Sequence, residues 1–201
     1  MKTPAYLLGL ALLAGNFSSP AQAGDWQYWE QSRNGYYGLG IGLSLLAYNK
    51  SNIATAFAAA SNNSSLNNND FTFNIFGGYQ LDPFLGLEFG ISQLSNTIAT
   101  TNGTPTKLFN TYTAFIDAIM THRYNDKAAL YGKIGAHFWN LGSNSSTTLT
   151  EGTDLSLGAG LEFTLSGDTG HVVRIGWNRY LFNNIYIDTV DTVSLSLVFK
   201  H

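Results

Sequence analysis

The sequence predicts an all-β fold, an eight-stranded antiparallel up-and-down transmembrane β-barrel. Three observations lead there. Eight segments of about ten residues alternate apolar with small or polar side chains at period two. The connections between them are alternately short and long. Charged residues make up 11% of the 201-residue chain, against about 25% in an average soluble domain. Too few charges remain to cover a water-facing surface, although hydrophobic residues, at 44%, are ordinary in number.

The first element is not part of the barrel. Lys2 precedes an apolar run from Tyr6 to Ala14, and Ala21-Gln22-Ala23 follows as a small-residue cleavage site. Residues 1–23 therefore read as a secretory signal peptide. The apolar run falls well short of the roughly 20 residues that a transmembrane helix needs. Residues 24–34 form an N-terminal extension in which Trp26, Tyr28 and Trp29 lie close together, and residues 35–201 form the barrel.

The expected strands are Tyr36–Tyr48, Phe71–Leu81, Leu85–Leu94, Tyr112–Tyr124, Ala129–Leu141, Asp154–Leu165, His171–Phe182 and Thr192–Lys200. Asp82-Pro83, Asn125-Asp126-Lys127 and Ser166–Gly170 carry turn residues and join strands tightly. Residues 49–70, 95–111, 142–153 and 183–191 read as long loops rich in Asn, Ser and Thr. In the first, Ser51–Asp70 has an alanine-rich stretch that could form a short helix before an asparagine-rich run, and the segment is expected to extend the hairpin or lie disordered rather than form an independent module. In an up-and-down barrel, strict alternation puts every short turn on one side and every long loop on the other. That is the arrangement of bacterial outer-membrane barrels, with short periplasmic turns and longer external loops.

The stretch GYQLDPFLGLEFGI, Gly78–Ile91, shows which face is which. Leu85, Leu87, Phe89 and Ile91 share one side of a strand; Gly86, Glu88, Gly90 and Ser92 share the other. A water-facing side would be about 25–35% charged. Here the polar side is mostly Gly, Ser, Thr, Asn and Gln with isolated charges, so it is assigned to the lumen and the apolar side to lipid. Eight strands leave an interior only wide enough for side chains, and charges there must compensate one another. Strand phase places Glu88, Asp117, Lys133, Glu162 and Arg174 in that lumen as a charge network. Tyr36, Tyr37, Tyr48, Tyr79, Tyr124, Trp177, Tyr180 and Phe199, with Phe71 and Tyr112, lie near strand ends where an interfacial aromatic girdle is expected.

Several function classes find no support. The net charge of −3 offers no basic patch for nucleic acid, and the absence of cysteine removes disulfides and thiolate chemistry. A lipid-acting enzyme would need a nucleophile or base beside a histidine at the membrane face. His122 neighbours Thr121, but adjacent strand residues point to opposite faces. His137 is in phase with Lys133, while His171 and His201 sit at strand ends. The histidines are dispersed, and Asp188 with Asp191 are too few for a calcium cage. No catalytic, cofactor-binding or metal-binding residue is assigned.

The segments GGYQLDPFLGLEFGI, ALYGKIGAHFW, SLGAGLEFTL and VVRIGWNRY together resemble the transmembrane domain of OmpA-like outer-membrane proteins, over nearly all of residues 24–201. The resemblance implies an eight-stranded barrel with an interior acid–base network, to which Glu88, Lys133, Glu162 and Arg174 correspond. It implies that domain alone, without the peptidoglycan-binding domain of the best-known members. It also implies an assembly signal in VSLSLVF ending at Phe199, read by barrel-assembly machinery, although Lys200 and His201 follow. The expected location is the outer membrane of a Gram-negative bacterium, among its lipid and lipopolysaccharide. The leading expectation is a non-enzymatic structural or surface-interaction protein of the cell envelope. Its external loops would meet host or phage ligands, and its lumen would be closed by the charged network. The alternative is a small gated pore; a lipid A-modifying enzyme ranks third.

Overall fold

The computed structural model describes residues 35–49, 51–53, 65–101, 104–143, 148–165 and 170–200. The expected signal peptide, the extension with its aromatic cluster, most of the first loop and the turn at 166–169 lie outside the described residues.

The strands are β1 (Gly35–Tyr48), β2 (Ser65–Leu66), β3 (Asn69–Gln80), β4 (Leu85–Thr101), β5 (Thr104–Arg123), β6 (Ala128–Ser143), β7 (Thr148–Thr164), β8 (His171–Leu181) and β9 (Ile187–Lys200). Each barrel strand pairs antiparallel with its chain neighbour, and β1 pairs with β9, which closes an eight-stranded ring. The two-residue β2 lies outside the ring and adds to β4 at Ala99 and Thr100.

Two described turns owe their tightness to single side chains. Asp82 Oδ1 accepts from the backbone N–H groups of Phe84 (2.7 Å) and Leu85 (2.8 Å). Asn125 Oδ1 does the same for Lys127 and Ala128, both at 2.9 Å. These side chains mimic a backbone turn. Gly170, at the end of the third turn, has φ of 66°, a conformation that costs glycine nothing.

On the opposite side the strands run further than expected. Pairing of β4 with β5 continues to Thr101 and Thr104, deep into the expected loop 95–111. The β6–β7 ladder reaches Gly142 and Thr148, and the β8–β9 ladder reaches Leu181 and Thr189. The expected loops 95–111, 142–153 and 183–191 are therefore largely hairpin extensions. Antiparallel ladders need paired backbone and tolerate polar side chains in water, so the end of apolar alternation does not end a strand. In the first loop, Ser51–Ile53 are helical and β2 occupies 65–66.

The faces alternate along the strands except at the register shifts. On β1, Tyr37, Leu39, Ile41, Leu43 and Leu45 are exposed, as are Leu87, Phe89 and Ile91 on β4. The buried side chains line the interior and change character along it. Small polar residues such as Ser92, Ser156, Ser194 and Thr192 lie among glycines. Leu46, Leu94, Phe109, Trp139, Leu141, Tyr180, Phe182, Ile187 and Val190 form an apolar cluster at the hairpin end, which Ile53 from the helical segment joins. Leu94 points inward in phase with Glu88 and Ser92; the β4 register shift between Gln93 and Ser95 then turns Ser95, Thr97 and Ala99 to the same inner face, a bulge that re-aims the strand beyond it.

The interior glycines differ from a lipid-facing one such as Gly132. A Cβ on Gly135 would run into the backbone of Ile116 and Asp117, which cannot swing away; one on Gly132 would meet only a carbonyl at 4.0 Å. Gly135→Ala is expected to destabilise the refolded barrel by about 1–3 kcal/mol and Gly132→Ala to leave it nearly unchanged. Urea unfolding midpoints, read from the gel mobility of unboiled samples, measure both.

Candidate functional site

The lumen charges arise from strand pairing. Glu88 on β4 and Asp117 on β5 are direct cross-strand partners on the inner face, an arrangement that like charges disfavour. Lys133, reaching over from β6, resolves it: its Nζ lies 3.0 Å from Glu88 Oε1 and 3.1 Å from Asp117 Oδ2. The lysine stem lies where Gly158 stands on β7, and a Cβ at 158 would meet Lys133 Cγ and Cε at 2.8 Å.

A second pair forms across β7 and β8, where Glu162 and Arg174 are register partners. Arg174 Nη2 donates to Glu162 Oε1 at 2.7 Å and Nε donates to the same oxygen at 3.1 Å. Its Nη1 reaches across the lumen to Glu88 Oε2, joining the two pairs. Lys200 ends the chain of contacts, with Nζ 3.2 Å from Glu162 Oε2. The order is Asp117, Lys133, Glu88, Arg174, Glu162, Lys200: three carboxylates and three cations in strict alternation, with zero formal charge.

Neighbouring groups complete the solvation of these ions. Tyr36 Oη donates to Glu88 Oε2 at 3.1 Å, and Ser156 Oγ donates to Asp117 Oδ1 at 2.5 Å. The Arg174 guanidinium lies 4.7 Å from the Tyr131 ring centroid and 5.1 Å from that of Phe76. Lys133 Nζ lies 4.8 Å from the Phe115 centroid. Ring faces attract cations most strongly where water is excluded. Glu88 is 1% exposed and Asp117 2%, so these contacts do the work of hydration.

All five charges assigned by strand phase thus point inward and touch. Lys200 was not assigned, because it follows the expected terminal Phe199; its phase with Ser194, Ser196 and Val198 is the signal that points it inward. Tyr36, Ser156 and Tyr131 were equally missed as network partners.

The girdle expectation needs correction. Tyr37, Tyr79, Tyr124 and Trp177 are exposed on the outer face, and Phe199 stacks on Tyr37 at 5.2 Å. Phe71 and Tyr112 are also exposed. Tyr36 and Tyr180 are buried in the lumen, and Tyr48 turns to the apolar cluster, where its hydroxyl meets Thr97 Oγ1 at 2.9 Å. Position near a strand end does not decide the face; strand parity does. Trp177 has a polar setting: its Nε1 donates to Asp191 (3.1 Å), which Arg179 grips through two bonds of 2.8 Å.

His137 is buried between Tyr180 and Phe182. Its Nδ1 is 3.1 Å from Thr113 Oγ1 and its Nε2 is 2.7 Å from the Leu181 carbonyl. Asp154 Oδ2 accepts from the Trp139 indole and from the Asn183 backbone, fastening the β8–β9 turn to β6 and β7. Among the described residues no three His, Asp or Glu side chains are grouped to hold a metal ion.

Residues 9–200 match the family described as outer membrane protein beta-barrel domain. Among solved structures, Ail, the attachment invasion locus protein of Yersinia pestis, shares 16% identity, with 84% of this chain and 99% of that chain covered and a TM-score of 0.50. The N-terminal β-barrel domain of Pseudomonas aeruginosa OprF shares 14%, covering 84% and 100%, with a TM-score of 0.50. Neisserial surface protein A shares 12%, covering 83% and 97%, with a TM-score of 0.56. At these identities the likeness concerns the fold. No curated protein sequence matches the chain.

Removing one member of a buried ion network leaves its partners charged and unpaired, at a cost of about 3–5 kcal/mol. Glu88→Ala and Arg174→Ala are each expected to lower barrel stability by that amount. Lys200→Ala, at the more exposed end of the chain of contacts, should cost only about 0–1 kcal/mol. Equal unfolding midpoints for all three and the parent barrel would contradict a stabilising role.

Proposed function

The chain belongs to the outer membrane protein β-barrel domain family, and on that premise we propose a non-enzymatic barrel with a closed lumen that displays surface hairpins. Its location is the bacterial outer membrane. The observation that carries the proposal is that the lumen is occupied at two levels. Near the short turns the alternating ions bind one another across the barrel, and at the hairpin end the apolar cluster packs around Trp139, Phe109 and Phe182. An ion crossing this path would have to break buried ion pairs and then traverse an apolar layer, and both steps are costly.

Several features support the surface role. The β4–β5 and β6–β7 hairpins carry their paired backbone beyond the apolar belt, presenting stiff polar faces toward host or phage ligands. The outward Tyr37, Tyr79, Tyr124, Trp177 and Phe199 serve as the interfacial girdle, and Phe199 on β9 as the assembly signal for the barrel-assembly machinery. The buried setting of His137, whose nitrogens face Thr113 and a backbone carbonyl, keeps it from any lipid substrate and supports the non-enzymatic reading.

One observation favours a second reading. Glu88 is shared between Lys133 and Arg174, so an exchange of partners could open a water path and make the barrel a small gated pore. Single-channel recording in a planar bilayer distinguishes the two. The refolded mature chain is expected to insert without conductance steps, and Glu88→Ala to remain silent because the apolar cluster still seals the mouth. Reproducible steps in the parent protein that change in Glu88→Ala would establish the pore instead.

A further inference from the structure

The lipid-facing wall is not uniform. On β3 to β6 the outer side chains Ile75, Ile91, Ala114 and Phe138 form one cross-strand row. Ala114 is the small member, and the next positions outward along β3 and β5 are Phe73 and Tyr112. The result is a depression of about 440 Å³ with Ala114 in its floor and Phe73, Ile91, Tyr112 and Phe138 as walls. That volume lies in the range of about 300–1,000 Å³ usual for ligand sites. Its lining is predominantly apolar, and Gln93 and Asn140 stand at the end toward the hairpins.

In water such a cleft would invite a protein partner, but here its walls are continuous with the belt that faces lipid. Phe73, Ile91, Tyr112 and Phe138 are each 45–60% exposed outward. The hairpin end of the strands is the external side, so the cleft opens into the outer leaflet. The amides of Gln93 and Asn140 and the Tyr112 ring then lie where acyl chains give way to polar headgroups. We propose that this cleft is a binding site for one acyl chain of a lipopolysaccharide molecule. The chain packs over Ala114 while the amide groups contact the polar part of the same lipid. An ordinary lipid-facing wall gives all lipids the same weak contact. A preformed concave site bounded by two aromatic rings and a tyrosine gives one chain more buried area at a smaller ordering cost. The inference rests on the outer-membrane location and is independent of whether the lumen conducts.

The test uses the full protein expressed in a bacterial outer membrane and extracted in a mild detergent, with purified lipopolysaccharide titrated in and counted by native mass spectrometry. The parent protein should retain one lipopolysaccharide per barrel. Ala114→Trp, which fills the cleft, should raise the apparent dissociation constant at least about tenfold. Ala159→Trp, on an exposed outer position of β7, should leave it unchanged. Phe138→Ala, which removes a wall, should weaken retention in the same direction and serves if the tryptophan variant fails to fold. Equal retention by the parent and both cleft variants would overturn the site. Selective retention of a phospholipid, lost in Ala114→Trp, would overturn the lipopolysaccharide assignment.

Discussion

Backbone hydrogen bonding in hydrocarbon governs this molecule. A peptide group left unpaired among lipid tails costs several kcal/mol, so a sheet in the membrane must close on itself. The β1–β9 ladder, running from Tyr36 and Lys200 to Tyr48 and Ile187, is the seam that does so. Once the ring is closed with eight strands, its interior is narrow, and everything else follows from filling that space. Lipid takes the large apolar side chains on one face of each strand, and the other face must supply whatever fits inside.

Filling a narrow interior sets the rules for charge. A lone ion there would be prohibitively costly, so the ions occur as an alternating chain in which each interior member touches two of opposite sign. Bulk is exchanged with equal economy. Where a long side chain crosses the lumen a glycine faces it: Gly158 beneath Lys133, Gly78 beside the Tyr36 hydroxyl, Gly38 against the Phe76 ring. The glycines and the charges are two halves of one packing solution, which is why they share strand faces.

This coupling explains what could be read from the sequence. Strand parity is strictly binary, so one unambiguous strand such as Leu85–Ile91 identifies the lumen face, and Glu88, Asp117, Lys133, Glu162 and Arg174 follow from it. Lys200 obeys the same parity but was hidden by its place after the terminal phenylalanine. Tyr36 and Tyr180 were misassigned because proximity to a strand end was weighed above parity. The hairpin extensions were illegible for another reason: beyond the membrane the backbone still pairs while side-chain selection relaxes, so stretches such as Thr97–Thr101 look like loop. The apolar cluster at the mouth was hidden because its members come from many segments. Leu46, Leu94, Phe109, Trp139 and Ile187 each look unremarkable alone, and only the register brings them together.

The long β4–β5 ladder has a consequence for recognition from outside the cell. Neighbouring residues along β4 or β5 project to opposite sides, so the patch a macromolecule meets on one side is a mosaic of alternate residues from adjacent strands, such as Thr100 beside Pro105 and Ile98 beside Lys107. An antibody raised against the folded surface would read that mosaic, and a linear peptide cut from either strand would present the wrong set of side chains together. Substitutions on one side would rewrite one epitope and leave its reverse untouched.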